Sequence, residues 1–151
     1  MLLYAVHIQQ RPAAKTEDFR EYKMKASLSC GPQDNQSEPT PNQEEKYIVA
    51  LPGWGHYGYA ISTQSDSAQW YFNQGLNMYY SYHLLESRAS FREAARFDSA
   101  CAMTWWGLAL SYGPSYNFSF RHKMKPQVLD ILQHMNNSAA VTSKEHLLVR
   151  Q

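Results

Sequence analysis

Between Ser67 and Pro114 the chain reads SAQWYFNQGLNMYYSYHLLESRASFREAARFDSACAMTWWGLALSYGP. Aromatic side chains crowd this stretch, and small residues fall between them at helical intervals. Ala68, Tyr71, Phe72, Gly75, Leu76 and Tyr79 recur at i, i+3, i+4, i+7, i+8 and i+11, which places them on one helix face. Asp66 and Gln69 have capping-box spacing, so the helix is expected to begin just after Asp66. A glycine inside a helix costs about 1 kcal/mol against alanine. Gly75 therefore implies that another element packs closely on that turn.

A second helix is expected from Leu84 to about Phe97. Leu84, Ser87, Phe91, Ala94 and Ala95 form its inner face, with Arg88, Arg92, Glu93 and Arg96 turned away. Glu86, Glu93 and Asp98 read as solvated charges. Asp98-Ser99 signals a turn, and a third helix follows from about Ala100 to Tyr112, ended by Gly113-Pro114. Its aligned residues are Ala102, Trp105, Ala109 and Tyr112. The pattern is two short helices packed as a hairpin, then the first helix of another. Pro126 is placed to open a fourth helix, with Val128, Leu129, Leu132 and Met135 as its apolar face and Asn136-Asn137-Ser138 as its end. Thr142 and Glu145 form a second capping-box pair and open a fifth. Helix-forming sequence that runs to Gln151 reads as the start of something longer.

The flanking sequence differs in kind. Residues 31 to 46, GPQDNQSEPTPNQEEK, carry no aliphatic or aromatic side chain, so they cannot bury enough surface to offset ordering entropy. Residues 1–50 are expected to be a mostly disordered tail and linker. Residues 51–66 contain GWGHYGYAIST and read as an extended, glycine- and aromatic-rich arm lying against the first helix. Residues 67–151 form the helical domain.

Composition narrows the function classes. The formal net charge is +1 among 151 residues, and the isoelectric point is about 7.8. Nucleic-acid binders usually carry a basic stripe and a higher value, so no nucleic acid is expected. The cluster RHKMK (Arg121 to Lys125) reads as a solvated loop. No run reaches the roughly 18 apolar residues of a membrane span, and MLLYAVHI lacks the basic flank of a signal peptide. Cys30 and Cys101 are too few and too far apart for a disulfide framework. Both are expected to be free, with Cys101 buried as a small hydrophobe.

The chain carries no motif for chemistry. His56, His83, Cys101 and Met103 could be imagined as a soft metal site, yet none has recognised ligand spacing. Their structural roles would be His56 stacking in the arm and His83 bonding a helix end. GPSYN is not a phosphate loop, and GWGHYG lacks the strand-then-helix setting of a dinucleotide fingerprint. No catalytic residue, cofactor or metal is expected. The aromatics Trp70, Tyr79, Tyr80, Tyr82, Trp105, Trp106 and Tyr116 exceed the needs of one small core. Either they pack between hairpins, or some of them line a groove for an extended peptide; Trp70, Tyr79, Tyr82, Trp106 and Tyr116 are the candidates for such a groove.

Tyr71, Gly75 and Met78 lie 34 residues before Trp105, Ala109 and Tyr112. That distance is the period of a tetratricopeptide repeat. HYGYAIST, AQWYFNQGL, SFREAARFD, CAMTWWGLAL and GPSYN together resemble successive signatures of one bacterial group of such proteins. The resemblance covers about Leu51 to Asn117, and Thr142 to Gln151 more weakly. It departs from the pattern at Ser87, where alanine is usual, and at Ser99, where proline is usual. It implies an all-α fold of antiparallel helical hairpins, the start of an α-solenoid. Tyr71, Gly75, Ser87, Phe91, Ala94, Trp105, Ala109 and Tyr112 would be its packing positions. The implied function is a protein–protein interaction module or scaffold without catalysis, its partner a protein or peptide, with self-association possible through the last repeat face. The runner-up is a metal- or redox-linked accessory protein using His56, His83, Cys101 and Met103. SLSCGPQDNQ around Cys30 also resembles the start of a mature bacterial lipoprotein, which would make the chain a lipid-anchored envelope component. EDFREYKMKAS before it is charged where that class needs an apolar run. The location is periplasmic or envelope-associated if a signal precedes Cys30, and cytoplasmic otherwise.

Overall fold

The computed structural model describes residues 38–114, 123–138 and 142–149. The tail before Glu38 with Cys30, the part of the GPSYN run from Ser115 with Tyr116, Arg121 and His122 of the basic cluster, and Gln151 lie outside the described residues. Among the described residues the regular structure is five α-helices and no strand. They are α1 (Asp66–Tyr80), α2 (Leu84–Phe97), α3 (Ala102–Tyr112), α4 (Gln127–Asn137) and α5 (Ser143–Val149). No helix among them is long and apolar enough to cross a membrane.

Each of the first four helices packs mainly on its neighbour in sequence, with lesser contacts from α3 to α1 and to α5. A three-residue turn, Ser81 to His83, folds α2 back along α1 as a helical hairpin. Phe91 of α2 is the centre of the packing and is fully buried. A Cβ on Gly75 of α1 would stand 2.8 Å from its ring, and one on Gly107 of α3 only 2.4 Å. The ring therefore fills the space that two glycines leave on opposite helices. Ser87 fixes the same crossing, its hydroxyl donating to the Gly75 carbonyl at 2.9 Å. All eight expected packing positions lie at the interior or its edge. Tyr71 stacks on Phe97 at 5.7 Å, Ala94 is fully buried, and Trp105, half-buried beside Ala109, stacks on His134 at 4.4 Å. Gly107 was not among them: the 34-residue period points to Ala109, while the glycine two residues earlier is the one that meets Phe91.

Helix starts depart from expectation at one place and follow it at another. Ser65, not Asp66, caps α1, its hydroxyl accepting from the Ala68 amide at 3.2 Å. Gln69 is thereby free for another task. At α5 the expected box is formed. Thr142 N donates to Glu145 Oε2 at 2.8 Å, and Glu145 N donates to Thr142 Oγ1 at 3.3 Å. In α4 the buried residues are Val128, Ile131 and Met135, whereas Leu129 is 60% exposed.

The charges of α2 are not all solvated. Glu93 is fully buried, accepting from Arg96 Nη2 at 2.5 Å and from Tyr47 N at 3.0 Å. Arg88 is buried, donating through Nε to the Ser111 carbonyl at 3.1 Å and lying 4.4 Å over the Tyr112 ring. Tyr47 for Glu93, and Ser111 and Tyr112 for Arg88, are contacts from other elements, and helical periodicity alone does not reveal them. The N-terminal boundary moves for the same reason. Ile48 and Leu51 are buried with Met78 and Ala89 in a second small core, so Tyr47 to Leu51 belong to the packed body. Glu38 accepts from the Tyr112 hydroxyl and, at 3.3 Å, from Lys125 Nζ. The polar segment is thus tethered at Glu38 by hydrogen bonds and ion pairs rather than by apolar burial.

Candidate functional site

Three carboxamides stand four residues apart on α1: Gln69, Asn73 and Asn77. Four helical residues advance about 6.0 Å along the axis, and two extended residues advance about 6.6 Å. A helix with amides at that spacing can therefore read every second residue of an extended chain laid along it. That is what the arm presents. Ile61 N donates to Gln69 Oε1 at 2.9 Å, Tyr59 N to Asn73 Oδ1 at 3.1 Å, and Tyr57 N to Asn77 Oδ1 at 3.2 Å. The amide groups return the bonds: Gln69 Nε2 donates to the Tyr59 carbonyl at 2.9 Å and Asn77 Nδ2 to the Tyr57 carbonyl at 2.8 Å. Gln69 Nε2 also donates to Asn73 Oδ1 at 3.1 Å, which holds the ladder together. The expected arm against the first helix is present, and its attachment is main chain to side chain.

The same device recurs upstream. Leu51 N donates to Gln74 Oε1 at 2.8 Å, Gln74 Nε2 to the Val49 carbonyl at 3.3 Å, and Tyr47 N to Glu93. Alternate residues of Tyr47 to Leu51 are again read by helix side chains.

Past Ile61 the arm is pinned by acids. Ser62 donates to Glu145 through both its amide, at 2.8 Å, and its hydroxyl, at 2.6 Å. Thr63 Oγ1 donates to Asp98 Oδ2 at 2.5 Å. Beside these residues is an open hollow of about 720 Å³ lined by Ile61, Thr63, Phe97, Asp98 and Cys101, among others. Burial pushes the Cys101 thiol above its ordinary range, which keeps it a weakly nucleophilic thiol.

Burial alone would raise the Glu145 carboxyl, but the donors from Ser62 and Thr142 outweigh it and hold it below the ordinary carboxylate value. A carboxyl held low in the folded state stabilises that state above its unfolded pKa, and the contribution is lost as pH falls through the folded one. As pH falls below the ordinary carboxylate range, Ser62 and α5 are expected to come free. Amide chemical shifts of residues 143–149 would report it. Glu38, also held low by Tyr112 and Lys125 against its burial, contributes with the same sign. Glu145→Gln should therefore flatten the α5 response specifically.

Of the aromatics offered as an alternative peptide groove, the described ones, Trp70, Tyr79, Tyr82 and Trp106, lie apart. Trp70 and Tyr79 are nine residues apart, about half a turn out of phase on α1. Trp70 meets Tyr71 edge-on at 5.1 Å, and Trp106 packs on the main core. Tyr79 and Tyr82 instead belong to the end of the hairpin. There Tyr80 meets Tyr79 at 5.6 Å and Tyr57 of the arm at 5.6 Å. Tyr57, Tyr80 and Tyr82 are 53%, 62% and 61% exposed. Tyr82 has φ 62°, a left-handed conformation that is unusual for a bulky residue. His83 lies edge-on to Trp54 at 4.5 Å and precedes α2, and Cys101 and Met103 are buried at the start of α3. Among the described residues no three His, Cys, Asp or Glu side chains gather as a metal site would require.

Comparison with family models, with curated proteins and with solved structures found no match for this chain.

Proposed function

We propose that the chain is a protein–protein interaction module of tetratricopeptide type, working by surface rather than by catalysis. The observation that carries this reading is the tyrosine tip of the α1–α2 hairpin. Exposed tyrosines supply large, amphipathic contact area and are enriched at interface hot spots. Tyr82 keeps such a side chain outward at φ 62°, where glycine would be the unstrained choice. Sequential helix packing around Phe91, Gly75 and Gly107 supports the repeat reading, because stacked hairpins contact chiefly their neighbours.

Tyr82→Gly is expected to stabilise the chain by about 1 kcal/mol through relief of the left-handed strain and to weaken partner capture. A photo-crosslinking amino acid placed at Tyr80, in the organism that makes the chain, should yield a discrete adduct with one protein. The adduct should fade when Tyr82→Gly is added. No protein adduct from position 57, 80 or 82 would contradict the reading.

A further inference from the structure

The amide ladder of α1 grips the arm by its main chain, which every peptide possesses. Selection comes from the space left for it. A Cβ on Gly55 would lie 2.5 Å from Asn77 Oδ1, and Gly55 has φ 115°. A Cβ on Gly58 would lie 3.3 Å from Asn73 Nδ2. Ile61, three residues further on, is 8% exposed and enters the core. Two close approaches and one apolar plug thus recur at intervals of three along the occupant.

The grip is also light. From Gly55 to Ala60 no side chain is buried, and Tyr57 is 53% exposed. Segments held by hydrogen bonds with little apolar burial open locally, without global unfolding. We infer that the Gln69–Asn73–Asn77 face is a receptor for an extended peptide of pattern Gly-x-x-Gly-x-x-Ile. It is filled here in cis by residues 55–61, and a partner protein presenting the same pattern takes the place of the arm. The inference rests on the interaction reading and names the partner's chemistry: glycine-spaced extended backbone ending in an aliphatic anchor. The cis arm, at high effective concentration, holds the site shut against weaker peptides.

The test uses the full chain carrying Gly55→Val and Gly58→Val, which spoil its own arm and leave α1 unchanged. The probe is a fluorescein-labelled peptide of residues 55–63, GHYGYAIST, followed by fluorescence anisotropy. The arm variant should bind it at least tenfold more tightly than the native chain does. A peptide with valine at both glycine positions, or Asn73→Leu and Asn77→Leu added to the chain, should lose at least tenfold. Equal binding by the native and arm-variant chains, no binding by the variant, or equal binding of the two peptides would overturn the inference. Reversible dimerisation of the native chain through this arm, seen in sedimentation, would overturn the choice of partner in favour of a second copy. Should the arm variant not fold, hydrogen exchange of the native chain decides. The Tyr57 and Tyr59 amides should open at least a hundredfold more often than that of Phe91, whereas opening only with global unfolding would overturn the inference. A failed peptide test beside a surviving adduct at Tyr80 would reject the receptor and leave the interaction reading standing.

Discussion

Gly107→Ala is expected to lower the melting temperature by about 10 °C, although alanine is the better helix former. Alanine gains about 1 kcal/mol of helix propensity over glycine. The added methyl carbon would sit 2.4 Å from Phe91 Cε1 and 2.5 Å from Cδ1. The ring has no free side to move to, since a Cβ on Gly75 would already be 2.8 Å away across the hairpin. Overpacking of this kind costs about 1–3 kcal/mol, at times more. A net loss near 2 kcal/mol corresponds to about 10 °C for a domain of this size. The control is Phe91→Leu. In that background Gly107→Ala should cost less than about 0.5 kcal/mol, giving a coupling energy above about 1 kcal/mol in a double-mutant cycle. Thermal melts followed by circular dichroism measure all four corners. An additive cycle would mean that the ring is not what the glycines accommodate.

Glu93→Ala should have a comparable effect by another route. The carboxylate is buried and bonds Arg96 and the Tyr47 amide. Removing one partner of a buried pair leaves the others uncompensated, at up to about 3–5 kcal/mol. Arg96 is partly exposed and can return to water, so the lower end, about 2–3 kcal/mol, is expected. The distinguishing sign is local: Tyr47 to Leu51 should detach, uncovering Ile48 and Leu51 and reddening Trp54 emission. Glu93→Gln keeps an acceptor for Tyr47 N and should cost about 1 kcal/mol. Urea titration with tryptophan fluorescence separates the two substitutions. Equal losses would assign the effect to the Arg96 pair rather than to the Tyr47 bond.

Short-range signals were legible in the sequence. The Thr142–Glu145 box, the end of α3 at Gly113-Pro114 and the span of α2 depend on residues within a turn of each other. The importance of Gly75 was legible too, because a helical glycine needs a close neighbour to justify it. What escaped depends on partners distant in sequence. Glu93 and Arg88 look solvated until Tyr47 and Ser111 are brought beside them. Leu129 looks inward until α3 chooses the Ile131 side of α4. Gly107 was hidden by the repeat period, which aligns Ala109 with Gly75. The ladder left a mark that could have been read: carboxamides at 69, 73 and 77, facing a segment with glycines at 55 and 58. Asp66 obscured it: read as the N-cap, it assigned Gln69 to a capping box, whereas Ser65 is the cap and Gln69 bonds the arm.

Hydrogen exchange resolved by residue along the arm tests the account most directly. The amides of Tyr57, Tyr59 and Ile61 donate to Asn77, Asn73 and Gln69, while Gly58 and Ala60 are exposed and their amides donate to none of these three side chains. Protection is expected to alternate, with residues 57, 59 and 61 exchanging at least tenfold more slowly than 58 and 60, and to collapse at 57 and 59 when Asn73→Ala and Asn77→Ala are combined. Uniform exchange from 57 to 61, or an alternation that survives the double substitution, would contradict it.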